Sequence, residues 1–244
     1  MSPIFNLKRN ELMKSGNIGS YLRYALGEII LVVIGILIAL FIKGAYTEKQ
    51  ELKHIQRTGL QVLQDLKKDT LHSSAIIRAE NERKSMFLAI MSDTVEQNFY
   101  DTCSLCPYLI SRFQTFEPSV NGFSILKNQD TDLKTNLDSL IHDTKQFYTK
   151  HVPLFEIVTG LLENEVIDGL HHWKNNYPWF ADWVVGEIPR EFDLYMYQNP
   201  DFRNRVAAFW LVNYGNFIPT LDAYNKEASD LAKRWEAALK AESP

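Results

Sequence analysis

One run constrains this chain more than any other: residues 25–42, ALGEIILVVIGILIALFI. Arg23 and Lys43 bracket it, and no basic residue lies between them. As a helix rising about 1.5 Å per residue, the run spans about 27 Å, close to the roughly 30 Å of a bilayer's hydrocarbon core. Between Ile29 and Ile42 every residue except Gly35 and Ala39 is Ile, Leu, Val or Phe. On an insertion scale these contribute about −6 kcal/mol, against at most about 3 kcal/mol for Glu28. Insertion wins. A buried core helix of this length would carry a polar stripe, and none follows Glu28. A cleaved signal peptide needs small residues after the run, and Lys43 stands where one is wanted. The run therefore reads as an uncleaved anchor.

The flanks suggest an orientation. Lys8, Arg9, Lys14 and Arg23 face a single acid, Glu11, before the anchor. After it, Lys43, Lys49, Lys53 and Arg57 alternate with Glu48 and Glu51. Positive-inside counting then places the N-terminus in the cytoplasm. Three regions follow: a basic amphipathic segment at 1–20, the anchor at 21–45, and an extracytoplasmic domain at 46–244. In a bacterium that domain is periplasmic and the anchor lies in the inner membrane. The first 24 residues carry +3, which leaves −7 for the rest against a formal total of −4. So acidic a domain is a poor nucleic-acid binder.

Within the anchor, Glu28, Val32, Gly35, Ala39 and Ile42 follow a 4-3-4-3 spacing and share one face. Gly35 and Ala39 form a small-xxx-small pair that admits a second helix, from another membrane protein or from another copy of this chain. Glu28 lies at the cytoplasmic end of that face, where its carboxylate can snorkel to the headgroups or handle a proton or ion.

Beyond Tyr46 the pattern stays helical. Leu52, Ile55, Gly59, Val62 and Leu66 alternate at three and four, and no proline occurs before Pro107. A stalk to about Met91 follows. Its apolar stripe lapses around residues 69–74, which predicts packing in two sections. Residues 93–130 read as irregular, with Pro118 opening a short helix. A long helix capped by Asp130 or Thr131 follows, kinked at Pro153 and ended by residues 169–178. Asn199 and Pro200 start the last helix, bent between Gly215 and Pro219. No strand is convincing, so the fold class is all-α: the anchor helix continues into a stalk that packs in an antiparallel bundle.

The anchor's sequence resembles an uncharacterised family of single-pass membrane proteins common in Bacteroidota. The shared pieces are the tyrosines before the anchor, Gly27-Glu28-Ile29-Ile30, and the core VIGILIAL at 33–40. A second likeness lies at GFSILKN, residues 122–128. Family members often continue past the anchor with Gln-Ile-Asn-Asn-Trp, which Phe41-Ile42-Lys43-Gly44-Ala45 replaces here. The resemblance implies inner-membrane anchoring and an exported helical domain, and no chemistry.

Cys103 and Cys106 form a Cys-x-x-Cys. Exported thiols oxidise, so a local disulfide is the leading reading. Thiol-disulfide catalysis needs a thioredoxin-like frame, and none is visible. Pro107 stands where haem attachment requires His. His142, His151, His171 and His172 read as satisfied or solvent-facing, because neighbours on a helix point about 100° apart. No phosphate loop, nucleophile elbow or zinc motif occurs, so no catalytic residue, cofactor or metal is expected. Trp179, Trp183 and Tyr195 lie in an aromatic-dense stretch, residues 173–197. It reads as a core plug, a membrane contact, or a partner or ligand surface.

The leading function is a non-catalytic, membrane-anchored interaction or assembly module of the cell envelope. A periplasmic ligand sensor that signals through a partner is second, and a redox protein third. If the small-residue face packs against a second helix, Gly35→Ile or Glu28→Ala lowers crosslinking yield in native membranes. An unchanged yield removes that packing face.

Overall fold

The computed structural model describes residues 18–92, 95–129 and 136–241, and all regular structure among them is helical. The expected basic segment before the anchor and the Asp130 or Thr131 cap lie outside the described residues. Helix α1 runs Ile18–Met91. Two compact units divide the chain, residues 1–55 and 56–244.

In the first unit, α1 is long and apolar enough to cross a membrane. Its apolar side chains from Leu26 to Ile42 are exposed, from 47% at Val33 to 79% at Phe41.

The second unit is built around residues 56–91 of α1. Thr58, Val62, Leu66, Asp69, Ser73, Ile76, Glu80, Phe87 and Ile90 are all buried. From Thr58 to Glu80 their spacing of three and four does not break; one turn is then skipped before Phe87 and Ile90. The stripe does not lapse at residues 69–74, as expected from hydropathy; it turns polar there and stays inside. Asp69 and Ser73 remain buried because each is paired with a distant segment. Ser119 donates to Asp69 through its backbone N–H (2.8 Å) and its hydroxyl (2.7 Å), and Tyr224 adds a third bond (2.6 Å). Asn225 reaches Ser73 Oγ at 2.6 Å.

Short elements follow: α2 (Gln97–Thr102), a 3-10 turn (Cys106–Tyr108) and α3 (Asn121–Leu126). Pro118 does not open the helix; it sits in the extended run before it. The carboxylates of α1 set the start instead, since Gly122 N–H donates to Asp65 Oδ2 at 2.7 Å. Gly122 also fits where no side chain can. A Cβ there would lie 2.5 Å from the backbone nitrogen of Val62.

Helix α4 (Asn136–Asn176) continues through Pro153. Helices α5 (Phe180–Val184) and α6 (Arg190–Gln198) cap its end, followed by α7 (Pro200–Val212) and α8 (Ile218–Ala241). Asn199 caps α7 by accepting from Asp201 N–H at 3.0 Å. The expected bend between Gly215 and Pro219 is a π-helix, Asn213–Phe217, in which Ile218 N–H reaches back to Asn213 O. Pro219 offers no N–H and crowds the carbonyl one turn back, so a wider turn relieves it. Asn216 Nδ2 takes up the Leu211 carbonyl at 2.9 Å.

Helix α8 runs antiparallel to both α1 and α4. Trp235 lies against Gly59 and donates to Thr144 Oγ1 at 2.9 Å. Tyr224 meets Asp69 on α1 and packs on Phe147 and Phe155 of α4. Further along, Asn213 and Tyr214 reach Glu80 at 2.9 and 3.0 Å.

Two glycine substitutions separate close approach from open helix. Gly122→Ala forces backbone apart and costs about 1–3 kcal/mol. At Gly160 a Cβ meets nothing within 4 Å, so Gly160→Ala stabilises α4 by about 0.5–1 kcal/mol. Denaturation of the detergent-solubilised chain reads both, with opposite signs expected.

Candidate functional site

The aromatic stretch at the end of α4 folds onto Trp173. Its ring meets Trp179, Trp183 and Phe192 edge-on, with centroids 5.6, 5.2 and 5.6 Å away. The chain then turns at Gly186, whose φ of +91° is strained for any residue with a Cβ. This turn joins α5 to α6, and α6 returns Phe192 and Tyr195 to the cluster.

The two indoles that point inward find internal acceptors. Trp183 donates to the Pro107 carbonyl at 3.0 Å, and Trp173 to Tyr195 Oη at 2.9 Å. Tyr195 passes the chain on to Asp201 Oδ2 at 2.7 Å. Arg205 Nε donates to the same oxygen at 2.9 Å, and His172 Nε2 lies 3.2 Å from it. Burial pushes the Asp201 carboxyl up, but the bonds from Tyr195 and Arg205 and the Arg205 charge outweigh it and hold it below the usual range. Burial, reinforced by Asp201, pushes the Tyr195 hydroxyl far up, so it stays a donor at neutral pH.

Trp179, Trp183 and Tyr195 are 5%, 7% and 4% exposed, so most of each ring is buried in the plug. The plug nevertheless floors an open cleft of about 920 Å³. Tyr177, Trp179, Asp182, Glu191, Leu194 and Tyr195 are among its lining residues, and Trp183 is not. Tyr177 stacks on Trp179 at 4.9 Å and 23°. Among the described residues, the charged side chains lining the cleft are Asp182 and Glu191. Together with tyrosines held protonated by burial, they offer hydrogen bonds and negative charge but no nucleophile–base pair.

The other predicted residues lie elsewhere. Cys103 and Cys106 are joined as a disulfide between α2 and the 3-10 turn. Pro107, which takes the Trp183 bond, follows directly. On α1, Val32, Gly35, Ala39 and Ile42 are exposed and Glu28 is half-exposed. Nothing lies within 4 Å of a Cβ placed on Gly35. The histidines do not converge: His142 pairs with Gln146, His151 with Glu227 at 2.9 Å, and His172 with Asp201. Among the described residues no group of three or more His, Cys, Asp or Glu is placed to hold a metal.

Tyr195→Phe strands the buried Trp173 N–H and lowers stability by about 1–3 kcal/mol in chemical denaturation. The Asp201 carboxyl is depressed in the fold, so its contribution is complete above about pH 4 and is lost as pH falls through its folded value. Asp201→Asn is accordingly less stable than the parent at neutral pH, and its acid-side loss is smaller. Compared with protein-family models, curated proteins and solved structures, the sequence and fold show no match.

Proposed function

We propose that this protein is a membrane-anchored, non-catalytic interaction module of the bacterial cell envelope. The anchor lies in the inner membrane, the first 20 residues are cytoplasmic and the helical domain is periplasmic. One observation carries the reading: the apolar side chains of residues 25–42 have no protein cover. Apolar surface left in water costs about 25 cal/mol per Å², and a bilayer removes that cost over the whole run at once. The basic excess before the anchor supports the orientation. The Cys103–Cys106 disulfide supports an oxidising compartment for the domain.

Interaction is favoured over ligand sensing by the cleft's shape. Small-molecule sites bury about 70–90% of their ligand. This cleft is open to one side, and Trp183 lies beneath it rather than in its wall.

Alkaline carbonate extraction of membranes tests the anchor, and protease added to spheroplasts tests the orientation. The expected result is full retention in the pellet, with the helical domain digested before lysis. Release into the carbonate supernatant overturns the reading, and so does a domain that resists protease until the membrane is broken.

A further inference from the structure

The cleft's chemistry narrows the kind of partner. Resting on the interaction reading above, we propose that the cleft between Tyr177 and α6 docks a basic polypeptide segment of a partner protein. Three observations converge on it.

The first is charge. Asp182 and Glu191 line the cleft, with no Lys, Arg or His among the lining residues. Around them the chain from 182 to 193 carries Asp182, Glu187, Glu191 and Asp193 against Arg190 alone. Neither Asp182 nor Glu191 lies within 4 Å of a cation among the described ion pairs. A cationic partner complements these two unpaired carboxylates.

The second is the floor. Tyr177 is half-buried and backed by Trp179 in a stacked pair. An aromatic face beside carboxylates suits a guanidinium or ammonium group, which gains cation–π attraction and an ion pair together. Leu194 and Pro178 supply apolar lining for the methylene stem of such a side chain.

The third is form. An open cleft leaves a small cation largely in water. A polypeptide gathers contacts along its length, and the chain from the end of α5 to α6, the two short helices bearing Asp182 and Glu191, exposes Val184, Val185 and Ile188.

The test uses the full chain in mild detergent and fluorescence anisotropy at low salt. The probe is a short labelled peptide of Arg, Leu and Gly, compared with the same peptide carrying Glu in place of Arg. The basic peptide should bind and the acidic one should not. Asp182→Asn with Glu191→Gln, both exposed positions, should weaken binding about tenfold. Glu156→Gln with Glu163→Gln removes the same charge from the outer face of α4 and should change it by less than twofold. Added salt should weaken binding, because exposed charges are screened over about 10 Å at 0.1 M. Equal loss in both double variants reduces the effect to net charge and overturns the proposal. Equal affinity for both peptides, or for argininamide alone, also overturns it. None of these results depends on whether residues 25–42 enter a bilayer, so the carbonate extraction fails or succeeds separately.

Discussion

A carboxylate taken out of water costs several kcal/mol unless its oxygens find partners. Helix α1 carries three into the interior of the second unit: Asp65, Asp69 and Glu80. Each collects donors from beyond its own helix. Asp65 takes Gln61, Asn121 and Gly122. Asp69 takes Ser119 twice and Tyr224 once. Glu80 takes Arg83, Asn213 and Tyr214. Arg83 then reaches on to the carbonyls of Leu109 and Arg112. Apolar packing alone would tolerate sliding α8 along α1 by a turn. These bonds do not, because a slip strands a buried carboxylate and several donors together. The register of the bundle therefore depends on three acids of one helix. Burial first, and then the charges of Asp69 and Asp65, push the Tyr224 hydroxyl far up, so it remains the donor that Asp69 needs.

That arrangement explains what could be read in the amino-acid order. The apolar run was legible because nearly every residue of a long window is of one kind, and no distant partner is needed to read it. The long helices were legible because their apolar residues recur at helical spacing, and Asn199-Pro200 because a cap acts locally. The polar half of the α1 stripe was not. Asp69 and Ser73 hold the right phase, but hydropathy counts them as gaps, and their partners are fifty or more residues away. Pro118 misled for the same reason: the start of α3 is set by a carboxylate on another helix. The π-helix announced itself only as a Gly215–Pro219 bend. Its form depends on Glu80 holding Asn213 and Tyr214 while Pro219 withholds a hydrogen bond.

The aromatic stretch shows a different limit. Composition marks residues 173–197 as a dense cluster but does not say which way the rings face. The deciding bonds are single and long-range, from Trp183 to Pro107 and from Trp173 through Tyr195 to Asp201. They tie Trp183 and Tyr195 into the plug, and Trp179 is held there by the rings of Trp173, Tyr177 and Phe192. The rim around them, with Asp182, Glu191 and Leu194, was missed because isolated acids on short helices look like ordinary solvated positions.

The plug and the rim depend on each other. Helices α5 and α6 are short, and the turn between them requires a glycine, so neither would persist in water unaided. Their positions are held from below, by indoles that reach the segment after the disulfide and the first turn of α7. A rigid floor under short, exposed, charged elements is how a domain can present side chains at fixed spacing without burying them. A flexible rim would let Asp182 and Glu191 drift, whereas a rim tied to a packed aromatic core keeps both on the lining of one cleft.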